Sequence, residues 1–215
     1  MTVKKWAFLV LLLMAGGMLA IVIAIHNQDR EDYLRTAEFA IEKGLQEQVD
    51  YSLGKALEKS REVYGEISEE TAEVYQMLGS QERDLSKGEE YFERAIQIYE
   101  LKNREDRLLE VYFERGCRYF QSGEMGEEQA QSEFLRVVDT FDQALCENTD
   151  YLCLSYYYLA YLEEEPERKV SLLREGERWI DQASMERRAE ISEKIYIPFH
   201  NKPLLPHSFR LLPPC

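Results

Sequence analysis

The sequence predicts an all-α protein: one transmembrane helix, followed by antiparallel helix pairs stacked into a solenoid of about four units. Three observations lead to this prediction. The motif Val-Tyr-x-x-x-Gly occurs at 74–79 and returns 37 residues later at 111–116; a period of this size is typical of stacked helix pairs. Four of the six prolines follow residue 200, so the middle of the chain has almost no helix breakers. Residues 6–25 form an uninterrupted apolar run.

This run reads WAFLVLLLMAGGMLAIVIAI and carries no charge. At about 1.5 Å per residue it makes roughly 30 Å of helix, which matches the core of a bilayer. Lys4 and Lys5 precede it, so the positive-inside tendency predicts a short cytoplasmic N-terminus at 1–5 and a single-pass protein of the cell membrane with an extracytoplasmic body. The alternative is a signal peptide cleaved after Ala24, which would release a secreted soluble helical protein.

Small residues share one face of the predicted span. Gly16, Ala20 and Ala24 follow one another at intervals of four, the spacing that lets two membrane helices approach closely. This row predicts a possible homodimer through the anchors. The alternative is that these are ordinary small residues of a single-pass helix.

Apolar residues recur at a helical period after the span, so we predict a helical repeat domain at 29–197. Its predicted helices are a stripe from Tyr33 to Gly44, a stripe from Val49 to Val63, then 69–83, 86–101, 105–122, 127–145, 151–164 and a last helix from Pro166 towards Ile195. The proline-rich segment 198–215 cannot continue a helix, and we predict an extended strap or a disordered end.

Local signals set the predicted helix boundaries. Gly65 and Ser68 mark a break and a new start, and Asn103 ends a helix. Ser86 with Glu89 three residues later has the form of a capping box. Residues 148–150, Asn-Thr-Asp, predict the start of the helix that follows.

The repeated units resemble the tetratricopeptide repeat, whose consensus carries W-x-x-L-G and then A-x-x-x-F-x-x-A. Tyr75, Leu78 and Gly79 match the first half, and Phe92 with Ala95 matches the second. The resemblance covers roughly residues 30–183, with units of 35, 37 and 44 residues against a consensus of about 34. It implies that first helices line a concave groove that binds peptides. A closed helical bundle is the alternative architecture.

The family's groove-facing offsets are three before, one after and four after the small residue of each first helix, here Gly79, Gly116 and Ala160. They imply a partner-binding groove lined by Gln76, Ser80, Arg83, Phe113, Cys117, Phe120, Tyr157, Tyr161 and Glu164. An aromatic-lined groove suits a protein or peptide segment, so Phe113→Ala is expected to damage binding only. The alternative is that these rings pack on a neighbouring helix or on the C-terminal tail, which could itself fill the groove.

Charge and motifs narrow the function. With 41 acidic and 26 basic residues the net charge is −15, which disfavours nucleic acid as a partner. The sequence has no GxSxG, P-loop, HExxH or GxGxxG motif, so we expect no catalytic residues and no cofactor. The interpretation is a non-catalytic scaffold or assembly factor anchored in the membrane. The alternative is a membrane-bound regulatory or sensory protein that binds a peptide or ligand.

The four cysteines form no CxxC pair, and the three histidines are far in sequence from the first three cysteines, Cys117, Cys146 and Cys153. A metal site is therefore not expected. Cys146 and Cys153 are seven residues apart across a predicted loop. They could form a disulfide, or they could be free cysteines of the core.

Overall fold

A computed structural model describes residues 29–141 and 149–182. In these ranges the chain is all-α, as predicted, and contains no strand. The helices are α1 (Arg30–Glu42), α2 (Gln46–Val63), α3 (Glu69–Gln81), α4 (Leu85–Leu101), α5 (Glu105–Gln121), a 3-10 turn (Gly123–Gly126), α6 (Glu127–Thr140), α7 (Asp150–Leu162) and α8 (Pro166–Gln182).

The predicted membrane span at 6–25 and the tail at 198–215 lie outside the described residues, as do the far end of the last predicted helix and Cys146. Among the helices from Arg30 to Gln182, none is both long and apolar enough to cross a membrane. The anchor therefore stays a prediction from the sequence.

The described residues divide into two compact units, which meet in the chain between Val74 and Tyr75, inside α3. In the first unit α1 packs on α2. Ala37 and Ala40 of α1 are fully buried, as are Leu53 and Ala56 of α2. These alanines let the two helices approach closely, because a short side chain holds the backbones apart less than a long one does.

A buried arginine fastens this first unit. Arg30 opens α1 and is only 7% exposed. Its Nε donates to Ser60 Oγ of α2 at 3.1 Å and its Nη2 donates to the backbone oxygen of Glu70 at 3.2 Å. It also forms an ion pair with Glu73. A guanidinium withdrawn from water needs such partners, since an unpaired buried charge is strongly destabilising.

In the second unit each helix from α4 onwards packs on the next one in the chain, and α5 also packs on α7. Contacts to both the next helix and the next but one are typical of helix pairs stacked in a row. The arrangement is therefore repeat-like.

Glycines mark the closest approaches between paired helices. A Cβ added at Gly79 of α3 would lie 2.8 Å from the ring of Phe92 on α4, and one at Gly116 of α5 would lie 2.8 Å from the ring of Phe134 on α6. Ordinary Cβ contacts are longer than this, so the ring occupies the space that a side chain would need. The two recurring glycines are thus helix-contact positions, as the repeat spacing predicts.

Most helix boundaries agree with the sequence, and two do not. Ser68 caps α3 by accepting from Thr71 N at 3.1 Å, and Asn103 follows α4 with a φ of 53°, the left-handed conformation common after a helix. The predicted cap Ser86 is wrong: Asp84 caps α4, with its carboxylate accepting from the backbone N–H groups of residues 86 and 87. A carboxylate close to the helix start is stabilised by the N-terminal dipole.

The second difference concerns α6, which ends at Thr140 rather than at 145. The next residue, Phe141, has an extended backbone. Its ring packs edge-on against Trp179 of α8, with centroids 5.2 Å apart. This contact favours the extended backbone over another helical turn, since an aromatic pair of this geometry contributes about 0.5–1.5 kcal/mol.

Candidate functional site

Side chains of α3, α5 and α7 in the second unit form one surface, which we call the first-helix face. It has a polar half and an aromatic half. The polar half comprises Gln76, Ser80, Glu110 and Glu114. The aromatic half comprises Phe113, Cys117, Phe120, Tyr151, Tyr158 and Tyr161.

The carboxyl group of Glu114 lies in the polar half and has no cationic partner among the described residues. Ser80 Oγ donates to Glu114 Oε2 at 2.6 Å, and Gln76 forms a second hydrogen bond with the same carboxyl. The pKa of Glu114 is raised to about 7, because burial and, to a smaller extent, the nearby carboxylate of Glu110 outweigh the two hydrogen bonds, which lower it. The charged neighbour that acts on Glu114 is thus another acid. Near neutral pH this group is close to half protonated.

Glu110 connects the polar half to α7. The hydroxyl of Tyr151 donates to Glu110 Oε1 at 3.0 Å, and Arg107 of the same helix forms an ion pair with Oε2 at 2.9 Å. Burial, followed by the charge of Glu110, raises the pKa of the Tyr151 hydroxyl. Glu110 therefore has its own cation, whereas Glu114 depends on neutral donors.

The aromatic half is a cluster of half-buried rings shared by α5 and α7. The Phe113 ring lies 5.2 Å from that of Tyr151 and 6.0 Å from that of Tyr158. Phe120 meets Tyr158 and Tyr161 edge-on, at 5.0 Å and 5.2 Å between centroids. These are the separations and tilts that aromatic pairs prefer.

The thiol of Cys117 lies within this cluster. It is hydrogen-bonded to Tyr158, and burial raises its pKa to about 12. The thiol is therefore protonated at neutral pH and unreactive as a nucleophile, because the thiolate is the reactive form. Cys117 contributes a small apolar group to the face.

The structure brings together six of the residues predicted to line the groove: Gln76 and Ser80 in the polar half, and Phe113, Cys117, Phe120 and Tyr161 in the aromatic half. Of these, Gln76 is only 5% exposed, and its Oε1 accepts from the hydroxyl of Tyr99 at 3.3 Å. The structure places the other three elsewhere. Arg83 and Glu164 are exposed beyond the ends of their helices.

Tyr157 does not lie on the surface. It is 6% exposed and packs on α8, where a Cβ added at Gly176 would lie 2.9 Å from its ring. The prediction took Ala160 as the equivalent of Gly79 and Gly116 and counted the groove positions from it. In this pair the first helix provides the ring and the second provides the glycine. Tyr157 and Phe113 thus occupy matching sequence positions but have different neighbours.

Sequence reasoning missed four residues of the face: Glu110, Glu114, Tyr151 and Tyr158. One signal could have found two of them. Glu114 and Tyr158 both stand two residues before the small residue of their helix. Each reaches the preceding first helix, Glu114 towards Ser80 and Tyr158 towards Phe120. The other two had no repeat-based signal.

A second polar cluster lies away from the first-helix face, among α4, α5 and α6. Arg115 is 4% exposed and its Nη2 donates to Glu133 Oε2 at 2.9 Å. Its other amino group pairs with Glu93 of α4. A buried pair of this kind fixes the register of the helices that it joins, and losing one partner costs about 3–5 kcal/mol. We interpret this cluster as structural.

No group of three or more His, Cys, Asp or Glu side chains suited to a metal ion occurs between residues 29 and 182, leaving aside 142–148. Cys153 is buried as a free thiol. Its Sγ donates to the backbone oxygen of Gly176 at 3.4 Å, which adds a contact between α7 and α8.

Fold and face together define an all-α, repeat-like protein with a partly aromatic surface on its first helices. A solved structure shares this fold: the crystal structure of BtubC (BKLC) from P. vanneervenii matches with a TM-score of 0.53. The match covers 82% of this chain and 66% of that chain, so this chain spans just under two thirds of the length of BtubC. At 18% identity the similarity extends to the fold alone. No protein-family model and no curated protein sequence matches the chain.

Proposed function

We propose that this protein is a membrane-anchored, tetratricopeptide-like scaffold or assembly factor that binds a protein segment on its first-helix face. The observation that carries the proposal is the composition of this face. Four half-buried rings, those of Phe113, Phe120, Tyr158 and Tyr161, lie in one cluster beside the carboxyl of Glu114, which pairs with no cation in the part of the chain that the structure describes. Rings supply apolar area at low entropy cost, and the carboxyl supplies orientation.

The proposed mechanism is recruitment rather than catalysis. An anchor at 6–25 would confine the face to the membrane surface and raise its effective concentration for partners in the same membrane. The proposed orientation keeps the body outside the cytoplasm, following Lys4 and Lys5. Within the body, the stacked pairs would provide a rigid support that holds the face in one geometry.

Site-specific photo-crosslinking in living cells tests the proposal. A photoreactive phenylalanine analogue replaces Phe120 or Tyr161 in the full-length chain, and Leu135 serves as the control because it is 44% exposed on α6, away from the face. We expect positions 120 and 161 to crosslink the same partner and position 135 to miss it. Identical products from all three positions would contradict a binding site on the first-helix face.

A variant without the charge of Glu114 tests whether this carboxyl takes part in binding rather than in folding. Glu114→Gln keeps the size and hydrogen-bonding capacity of the side chain and removes its charge. If the carboxyl orients the partner, this change lowers the crosslinking yield at Phe120 several-fold without altering the circular dichroism. An unchanged yield would remove the carboxyl from the proposed site and leave only the rings.

A further inference from the structure

We infer that residues 198–215 of this same chain dock on the first-helix face. The inference shares its surface with the proposed function but does not require that a partner exists. The carboxyl of Glu114 has Glu110 as its charged neighbour, and the rings beside it are half-buried rather than covered. An apolar segment that carries a cation complements both features.

The C-terminal segment has this chemistry. It reads PFHNKPLLPHSFRLLPPC, with Lys202 and Arg210 as its cations and no Asp or Glu. All 41 acidic residues of the chain lie between positions 29 and 197, so the charge of this segment is opposite in sign to that of the acidic body that precedes it. Its leucines and Phe209 offer the apolar contacts that the rings require.

The composition also lowers the entropy cost of docking. Four prolines in this segment lie after residue 200, and each fixes φ near −65°, so the free segment samples fewer conformations. Grooves lined by aromatic rings take extended, proline-rich peptides for this reason. A covalent connection adds to the effect, because short flexible linkers give effective concentrations of the order of millimolar.

The chain length permits the contact. α8 is described as far as Gln182, and the segment begins at 198. The intervening residues can span up to roughly 50 Å when extended. The 17 residues of α5 make a helix of only about 25 Å. The extended connection is therefore about twice as long as the helix that carries Phe113 and Phe120.

Hydrogen exchange on the full-length protein, followed by mass spectrometry, tests the docking. The test variant is Lys202→Glu with Arg210→Glu, and the control is Lys202→Arg with Arg210→Lys, which conserves both charges. We expect backbone amides of 110–120 and 151–161 to exchange several-fold faster in the test variant and at the wild-type rate in the control. Equal exchange in all three proteins would overturn the inference.

A second test adds the C-terminal segment as a separate peptide to a chain that lacks it. In a chain that ends at Ile197, a synthetic 198–215 peptide should restore protection of the same amides, and more salt should weaken its binding. The Glu114→Gln variant should bind this peptide several-fold more weakly. Protection that rises with protein concentration in the full-length chain would place the segment of a second copy on the face and overturn docking within one chain.

The two proposals can fail separately. If the exchange difference is present but positions 120 and 161 crosslink only 198–215, docking holds and partner binding fails. If a partner is crosslinked but the charge reversal changes no exchange rate, the face binds partners and docking fails.

Discussion

The pairs α5–α6 and α7–α8 meet the same packing requirement in opposite ways. In α5–α6 the first helix provides the glycine, Gly116, and the second provides the ring of Phe134. In α7–α8 the first helix provides the ring of Tyr157 and the second provides Gly176. Two helices approach closely where an aromatic ring of one packs on a glycine of the other, and either helix of the pair can carry the ring. The choice determines which aromatic residues remain for the first-helix face.

At a second repeat position the contact partner is kept while the type of side chain changes. Two residues before the small residue, α5 has Glu114 and α7 has Tyr158. Both contact the preceding first helix: Glu114 through a hydrogen bond from Ser80, Tyr158 through its ring against Phe120. The contact between first helices is therefore polar at one step of the repeat and aromatic at the next.

The largest expected effect on stability comes from removing the rings that pack between paired helices. Phe134 is fully buried and stacks on Tyr158 with centroids 4.7 Å apart, so Phe134→Ala should lower the free energy of unfolding by about 3–5 kcal/mol. If the pairs are equivalent, Tyr157→Ala should cost a similar amount. Chemical denaturation followed by circular dichroism measures both.

The matched control for the rings is Leu135→Ala on the same helix as Phe134. Leu135 is 44% exposed, so its loss should change stability by about 0.5 kcal/mol or less. A Tyr157→Ala variant as stable as this control would show that Tyr157 does not fill the interface of α7 and α8.

The corresponding change on the glycine side should have a smaller effect. Gly116→Ala and Gly176→Ala each place a Cβ within 2.9 Å of a ring atom, and overpacking of this kind costs about 1–3 kcal/mol. Gly54 is the control, since it lies in α2 with no atom within 4 Å of its added Cβ. Gly54→Ala should stabilise the protein by about 0.5–1 kcal/mol, because alanine is the better helix former.

A double variant tests whether ring and glycine act as a pair. Phe134→Leu should relieve part of the cost of Gly116→Ala, since residues in contact have non-additive effects on stability. It should relieve none of the cost of Gly176→Ala. If both alanine variants respond equally to the smaller side chain, the two interfaces are not independent.

Sequence reasoning found the all-α class and most helix boundaries because the signals for both are local. A helical period, an asparagine at Asn103 and a serine at Ser68 act within one or two turns. The competing caps Ser86 and Asp84 show the limit of such signals, because both residue types can cap a helix and only the structure shows that Asp84 does so. Helix starts are therefore predictable to within about a turn.

The face was less predictable because it depends on which helix receives each ring. Spacing aligned Ala160 with Gly116, and from that alignment Tyr157 was predicted to face a groove. The ring instead packs on Gly176, a residue of the partner helix that a repeat offset does not consider. Phe113 was predicted to affect binding only, yet its ring lies 5.8 Å from Phe134 in the core. Its loss should now affect stability as well.

The smallest expected effect is a pH dependence that separates the polar contact between first helices from the aromatic one. Burial raises the pKa of Glu114 to about 7 in the folded protein from 4.5, its ordinary value. The folded state therefore binds the proton more tightly than the unfolded state does. Its contribution to stability is fully present below about pH 4.5 and is lost as the pH rises through 7. Since the carboxyl is only half-buried, we expect a loss on the order of 1 kcal/mol.

Glu114→Gln should remove this pH dependence, because the amide cannot titrate. Denaturation midpoints measured between pH 5 and pH 8 should fall with rising pH in the wild type and change less in the variant. Tyr158→Phe is the matched control at the corresponding position of α7. It removes a hydroxyl but leaves the ring that meets Phe120, so it should keep the wild-type slope. An equal slope in the wild type and in Glu114→Gln would mean that another group titrates, and Glu114 would then be as well solvated in the folded chain as in the unfolded one.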